Sequence, residues 1–134
     1  MEINLKRLAK LMNEYAASTY SLQQELNLSI NPDLNQVVAR YILDTNQIEL
    51  AGFLKDFQYL KLDELLNILK HEVTHVYARQ RNLGYGDGSQ DFENLLQSHH
   101  LPTTNPISTK LVETTLGLVN YDSQVKRVLI KKYE

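Results

Sequence analysis

The chain has 134 residues, of which 43% are hydrophobic, and this is enough apolar material to close the core of one domain without cross-links. It contains no cysteine, which excludes disulfides, thiolate nucleophiles and every cysteine-based zinc site, so any metal must be held by His, Asp or Glu. Fourteen basic and sixteen acidic residues give a net charge of −2, which argues against the broad phosphate-binding surface of a nucleic-acid-binding protein.

Charged residues interrupt the N-terminal segment, so it has no apolar stretch of signal-peptide length, and no later stretch approaches the length of a membrane span. We therefore expect a cytoplasmic protein with no membrane contact. One domain is expected over residues 1–134, with a core at about residues 20–100 and a C-terminal hairpin at about residues 108–133.

The first half of the chain predicts one helix and then short strands. Apolar residues at helical spacing between charged ones predict an amphipathic helix over roughly residues 2–19. Alternating and β-branched residues then predict three strands separated by turns, in the order Leu26–Ile30, a turn at Asn31-Pro32-Asp33, Gln36–Leu43, a tight turn at Asp44–Asn46, and a short strand with Ile48 and Leu50.

The second half predicts a long helix, a short helix and a hairpin. Residues 63–82 carry a continuous apolar arc, with Asp63 able to cap the start and Gly84 able to end the helix. The later predictions are a short helix capped by Ser89 with Phe92, Leu95 and Leu96 facing inward, an irregular connection marked by Pro102 and Pro106, and hairpin arms Leu111–Val119 and Gln124–Tyr133 around a turn at residues 120–123. Val112, Leu116, Val119, Val128 and Ile130 would pack this hairpin together.

His71-Glu72-Val73-Thr74-His75 matches the H-E-x-x-H pattern, and it falls inside the predicted long helix. Two His residues four apart on a helix lie one above the other, so both imidazoles can reach one ion. Glu72 lies about 100° further round the helix, where its carboxylate borders the metal and can move a proton during hydrolysis. The alternative is a surface helix on which His71, Glu72 and His75 are merely solvated, but both His residues border the apolar arc.

The region from Asn31 to near Ser98 resembles the SprT-like family of zinc metallopeptidases. The matching pieces occur in the family's order: Ile30-Asn31-Pro32-Asp33-Leu34, Ala39-Arg40-Tyr41, Ile48-Glu49-Leu50, Leu65 through His75, and Gly84-Tyr85 with Asp91-Phe92. Three departures stand out. Ala39 replaces a Gly, Asp87 stands where the family has its third metal-binding His, and the tail has no cysteine where related proteins often carry a zinc ribbon.

The resemblance implies an α+β fold, a small zincin-like domain of the minimal metallopeptidase type. A short antiparallel or mixed sheet would pack on the HExxH helix, flanked by the N-terminal helix and the C-terminal hairpin. It also implies a zinc cofactor and a protein or peptide substrate, which zincins hold in extended form against the edge strand of the sheet. Either strand of the segment from Gln36 to Leu50 could supply that edge.

A catalytic zinc site normally has three protein ligands, and the helix supplies two. Asp87 is the expected third ligand, since it lies at the family's His position and the flanking glycines, Gly86 and Gly88, let the backbone turn back to the helix. The rivals are Glu93, His99 and His100. Tyr85, in the same glycine loop, is the candidate transition-state donor, whereas Tyr77 projects onto the apolar side and is assigned to the core.

Three functions fit these observations. The leading hypothesis is a zinc metallopeptidase with Glu72 as general base. The second is a catalytically weak or inactive metal-binding relative that serves as a peptide-binding or regulatory module, because the usual ligand and the ribbon are missing. The third is a small interaction domain without metal. Some SprT-like proteins act on DNA-bound proteins, but the charge balance disfavours this, and the basic residues of the tail, Lys126, Arg127, Lys131 and Lys132, are assigned to a solvated strand face.

Overall fold

The computed structural model describes residues 3–42, 45–57, 60–104, 108–118, 121 and 123–133, and these form an α+β fold of five α-helices and a three-stranded sheet. The elements in chain order are α1 (Leu5–Tyr20), β1 (Asn27–Asn31), β2 (Ala39–Ile42), β3 (Gln47–Ala51), a 3-10 helix (Gly52–Asp56), α2 (Leu62–Gln80), α3 (Gln90–Ser98), α4 (Thr109–Thr115) and α5 (Ser123–Lys132). Some residues used in the predictions above lie outside the described residues, namely residue 2, Leu43, Asp44, Pro106, Val119, Asn120 and Asp122.

Helix α1 begins at a side-chain cap, since Asn4 accepts a hydrogen bond from the backbone N–H of Arg7 at 3.1 Å. Its buried face recurs every four residues, at Leu8, Met12, Ala16 and Tyr20. Asn13 ties the helix to the start of β1, because its amide both accepts from the N–H of Leu26 and donates to the carbonyl of Leu26. The predicted N-terminal helix is therefore confirmed, with its ends shifted.

The sheet is mixed, with strand order β1-β3-β2. β1 runs parallel to β3, and β2 runs antiparallel to it. All three predicted strands are present, and the predicted turn after β1 is closed by Asn31, whose side-chain oxygen accepts from the N–H of Asp33 at 2.9 Å. The sheet order makes β2 an edge strand, and this edge lies beside α2.

Helix α2 has different ends from those predicted. Lys61 is the N-cap residue, while Asp63 lies in the first turn. Glu64 accepts the N–H of Lys61 at 3.3 Å, which satisfies one of the free donors at the helix start. The helix ends at Gln80, and Asn82 takes the left-handed conformation (φ 57°) that reverses the chain, so Gly84 is not its stop.

The main core lies between α1, α2 and the sheet. Helix α2 contributes Leu65, Ile68, Leu69, Val73 and Val76, all of them buried. A smaller apolar cluster joins the end of α2 to α3 through Ala78, Phe92, Leu96 and Leu101, so the inward orientation of α3 is confirmed. Within the described part of the chain, no helix is long and apolar enough to cross a membrane.

The predicted C-terminal hairpin is wrong, because both of its arms are helical. In α4, the buried residues Val112 and Thr115 follow helical spacing, and Leu116, the C-cap residue, is buried as well. In α5, Leu129 is buried and Val125 packs on the main core, whereas Val128 is 44% exposed. Short apolar segments rich in β-branched residues can fit the two-residue repeat of a strand or the 3.6-residue repeat of a helix. Here packing on the main core favours the helix.

The end of α5 is fastened to the start of β2. The carbonyl of Lys132 accepts a hydrogen bond from the N–H of Val38 at 2.8 Å, and the ammonium group of Lys132 reaches the carbonyl of Asn35 and the ring of Phe53. Tyr133 follows directly and is buried. The basic tail residues therefore lie on a helix and not on a strand face, and one of them is engaged in holding the chain end.

Candidate metal centre

His71 and His75 lie one turn apart on α2, and their rings are 4.9 Å apart between centroids. The side chain of His71 is fully buried and that of His75 is 14% exposed. Among the described residues, three potential ligand atoms lie within 4.8 Å of one another, one from each of His71, Glu72 and His75. The helix thus brings both imidazoles and one carboxylate to the same place.

The loop between α2 and α3 delivers a second carboxylate to the two imidazoles. Asp87 Oδ1 lies 3.2 Å from His71 Nε2 and 3.3 Å from His75 Nε2. Oδ1 therefore lies close to the Nε2 atoms of both imidazoles. The aspartate is 32% exposed, so the three groups meet at the boundary between the core and solvent.

The other ring nitrogen of His75 is committed to the backbone. His75 Nδ1 lies 2.5 Å from the carbonyl oxygen of Tyr85, and because a carbonyl only accepts, Nδ1 must carry the proton. In a neutral His75, Nε2 then presents a lone pair to the Asp87 carboxylate, and two acceptors face each other at 3.3 Å. Such a pair is stable only with a cation between the atoms, either a proton or a metal ion.

The pKa values reflect the same arrangement. Burial lowers the pKa of the His71 imidazole, although the carboxylates of Asp87 and Glu93 oppose this. Burial also acts to lower the pKa of His75, but the Asp87 and Glu72 carboxylates outweigh it, and the net pKa is raised. Burial acts to raise the pKa of Asp87, yet its contacts with the two imidazoles hold that pKa well below the usual range.

Aromatic side chains fix the two imidazoles from the sides. The Phe92 ring stacks on His75 at 4.0 Å between centroids and meets His71 edge-on at 5.3 Å. Tyr133 meets His71 edge-on from the C-terminal side, also at 5.3 Å. Phe92 was expected in the core from its helical spacing, whereas Tyr133 was not expected at the site, since nothing local marks a residue that reaches the site from the chain end.

Glu72 is buried next to the two imidazoles, with Oε2 4.0 Å from His75 Nε2. Its side chain also lines a cleft of about 250 Å³ between α2 and the edge strand β2. The opposite wall of this cleft is formed by Val37, Ala39, Arg40 and Tyr41, and Tyr85, Gly86 and Asp87 close one end. A group held in the cleft would therefore lie against Glu72 and the edge strand at once.

Glu93 and His99, two of the rival third ligands, contact other groups. Glu93 Oε1 accepts hydrogen bonds from the N–H of Gly88 and the hydroxyl of Thr104, and Oε2 accepts one from the N–H of Thr104. His99 packs edge-on against Tyr20 at 5.1 Å, and it lines a separate pocket together with His100. Asp87 is the sequence-derived candidate that the fold brings to both imidazoles.

The two tyrosines considered as candidate donors differ in environment. Tyr77 stacks on Tyr20 at 4.2 Å between centroids, in agreement with its assignment to the core. Tyr85 is 40% exposed at the end of the cleft. Its backbone carbonyl, not its phenol, is the group that contacts His75.

Similar proteins were found among curated sequences, whereas no family model matches the chain. A protein called SprT-like from Geobacillus sp. (strain WCH70) is 36% identical over 74 residues, which are 55% of this chain and 46% of that protein. A second SprT-like protein, from Geobacillus kaustophilus, is 30% identical over 97 residues, or 72% of this chain and 64% of that protein. This chain thus spans about half to two thirds of the length of these relatives.

Among solved structures, the fold is similar to that of the metallopeptidase zymogen of Methanocaldococcus jannaschii jannalysin. The TM-score is 0.59 at 18% sequence identity, and the match covers 89% of this chain and 96% of jannalysin. At this identity the likeness concerns the fold alone. The likeness in sequence to the SprT-like proteins and the likeness in fold to a metallopeptidase zymogen support the assignment of this chain to a SprT-like, zincin-type family.

Proposed function

We propose that this chain is a zinc-dependent metallopeptidase that cleaves a protein or peptide held in extended form. The observation that carries the proposal is the position of Asp87 Oδ1, 3.2 and 3.3 Å from the Nε2 atoms of His71 and His75. Three ligand atoms of the types that zinc prefers meet there, and the proton of His75 is held on the opposite ring nitrogen. The residues present therefore fit a divalent metal, and two imidazoles with one carboxylate favour zinc.

His71, His75 and Asp87 would hold the ion, and Glu72 would remain outside the ligand set. A bound zinc ion supplies Lewis-acid polarisation of the scissile carbonyl and makes the attacking water more acidic. Glu72 takes the proton from that water as the water oxygen bonds to the carbonyl carbon. It then returns the proton to the amine nitrogen as the C–N bond breaks. Tyr85, at the end of the cleft, is the proposed donor to the carbonyl oxygen in the transition state.

The substrate would lie along β2. The carbonyl of Val38 accepts a hydrogen bond from the N–H of Ala51 in β3. Along a strand of an antiparallel pair, the N–H and C=O groups of successive residues point alternately towards the partner strand and away from it. The N–H and C=O groups of Ala39 and Tyr41 therefore point away from β3. These two residues also line the cleft beside Glu72. An extended peptide can pair with them as an added strand, which would bring one of its carbonyls to the metal.

Metal content and Glu72→Gln together test the central proposal. The full chain without a His tag, expressed with added zinc, should carry about one zinc per chain, and less than about a tenth of an equivalent would contradict the proposal. Glu72→Gln should abolish hydrolysis of a mixed peptide library while zinc content stays near that of the wild type, because the side chain moves protons and does not bind the ion. Retained hydrolysis by this variant, or no hydrolysis by the zinc-loaded wild type, would contradict the assigned reaction.

Backbone N-methylation of a cleaved peptide tests the edge-strand pairing. Methylation of one N–H that faces β2 removes a main-chain hydrogen bond and should raise KM, whereas methylation of the neighbouring N–H, which points away, should change KM little. Equal effects at alternate positions would show that the substrate does not bind as a strand.

A further inference from the structure

The loop that carries Asp87 forms a single turn, across which the N–H of Ser89 donates to the carbonyl of Gly86 at 3.1 Å. Gly86 and Gly88 flank the aspartate, and Gly88 adopts φ 85°, which favours glycine. A Cβ on Gly86 would meet no atom within 4 Å, so no other part of the protein packs on this side of the turn. Contacts on either side of Asp87 join this turn to the two neighbouring helices.

The first end is held by α2 itself, since His75 Nδ1 donates to the carbonyl of Tyr85. This contact fixes the backbone two residues before Asp87. On the other side of Asp87, the next backbone N–H along the chain belongs to Gly88, and it donates to Glu93 Oε1 at 2.8 Å. Asp87 thus lies between two backbone anchors, one from the metal-site helix and one from Glu93.

Glu93 is itself fixed firmly. It is a buried carboxylate on the first turn of α3, and its two oxygens also accept the hydroxyl and the backbone N–H of Thr104, the latter at 3.0 Å. A buried carboxylate is stable when several donors surround it, as here. Because Phe92, the preceding residue, stacks on His75, the same helical turn supports both an imidazole and the loop.

We propose that Glu93 is a positioning residue for the metal site, which holds the Gly86–Gly88 loop so that Asp87 reaches the two imidazoles. This inference rests on the proposed function, because it assigns Asp87 to the ligand set. Glu93 would then support the metal ligand Asp87 and would not be a metal ligand itself. Its carboxylate acts through the backbone N–H of Gly88 and does not touch the ion or the substrate.

Zinc affinity of Glu93→Ala, measured by competition with a chelator of known affinity, tests the proposal. Loss of a partner that orients a metal ligand typically weakens binding about 10- to 100-fold, and a loss in that range is expected. Thr104→Val is the matched control, because it removes the other side-chain contact of Glu93 but keeps the contact with Gly88. It should stay within about threefold of the wild type, well below that range. Wild-type affinity in Glu93→Ala, or an equal loss in both variants, would overturn the proposal.

Hydrogen exchange of the Gly88 amide gives a second readout that does not depend on zinc. In the metal-free chain, this amide should exchange faster in Glu93→Ala than in the wild type and be unchanged in Thr104→Val. If the wild type binds no zinc, the proposed function fails, while the exchange rate still reports whether Glu93 holds the loop. Should Glu93→Ala not fold, Glu93→Met keeps a similar volume and lacks an oxygen acceptor for the Gly88 N–H, and unchanged zinc affinity together with unchanged Gly88 exchange in that variant would overturn the proposal.

Discussion

The two ring nitrogens of His75 have different partners, and this difference governs how the residue can bind a metal. Nδ1 donates to a backbone carbonyl of the Asp87 loop, and Nε2 faces the Asp87 carboxylate. The partner that orients the imidazole and the proposed third ligand therefore belong to the same short segment. Any shift of this loop would disturb an existing ligand and the third ligand together.

Substitution of Asp87 tests its proposed role as a ligand. Asp87→Ala should lower zinc affinity, because the ion would keep only two protein ligands. Asp87→His should retain zinc and raise peptidase activity at neutral pH, since a neutral imidazole leaves the ion a stronger Lewis acid than a carboxylate does. Chelator competition measures the first effect and kcat/KM the second. Unchanged affinity in Asp87→Ala would show that another residue completes the site.

Helix α5 joins the chain end to the wall of the metal site. Its last carbonyl bonds to Val38 at the start of the edge strand, and Tyr133 packs edge-on against His71. The phenol of Tyr133 has no hydrogen-bond partner among the residues that the structure describes, and burial raises its pKa far above the usual value. The contribution of this residue is therefore expected from its ring and not from its hydroxyl.

Two substitutions of Tyr133 separate these contributions. Tyr133→Ala should lower the free energy of unfolding by about 3–5 kcal/mol, because it leaves a cavity beside His71. Tyr133→Phe should change it by less than about 1 kcal/mol, since it removes a buried hydroxyl without breaking a bond to the described residues. Val128→Ala, on the exposed face of the same helix, should stay within about 0.5 kcal/mol. Urea denaturation measures all three, and an equal loss in the Phe and Ala variants would assign the stability to the hydroxyl.

At the scale of the whole molecule, the proposed ion links the second helix to the loop before the third. Binding to the folded chain alone should therefore stabilise it. Free zinc at 100 times its dissociation constant should raise the free energy of unfolding by about 2.7 kcal/mol. Thermal unfolding with zinc and with a chelator measures this difference, and His75→Ala should abolish it. Equal zinc stabilisation of that variant and the wild type would place the ion elsewhere.

The sequence alone determined the part of the site that depends on local geometry. A helix puts residues four apart on the same side, so the pair His71 and His75 could be assigned to one ion from spacing and periodicity. Strand alternation and turn residues likewise predicted β1, β2 and β3. The position of Asp87 was expected from the family resemblance, and the flanking glycines made the required turn plausible.

Only the tertiary structure decided the features that depend on distant parts of the chain. The tail was predicted as a hairpin because its apolar, β-branched residues suit both periods, and packing of Val112 and Leu129 in the main core made it two helices. Glu93 was a rival ligand until the fold turned it towards Gly88, and Tyr133 reaches His71 across 62 positions of sequence. Local patterns carry no information about such contacts, because the free energy that selects them comes from burial and hydrogen bonding between segments that meet only after folding.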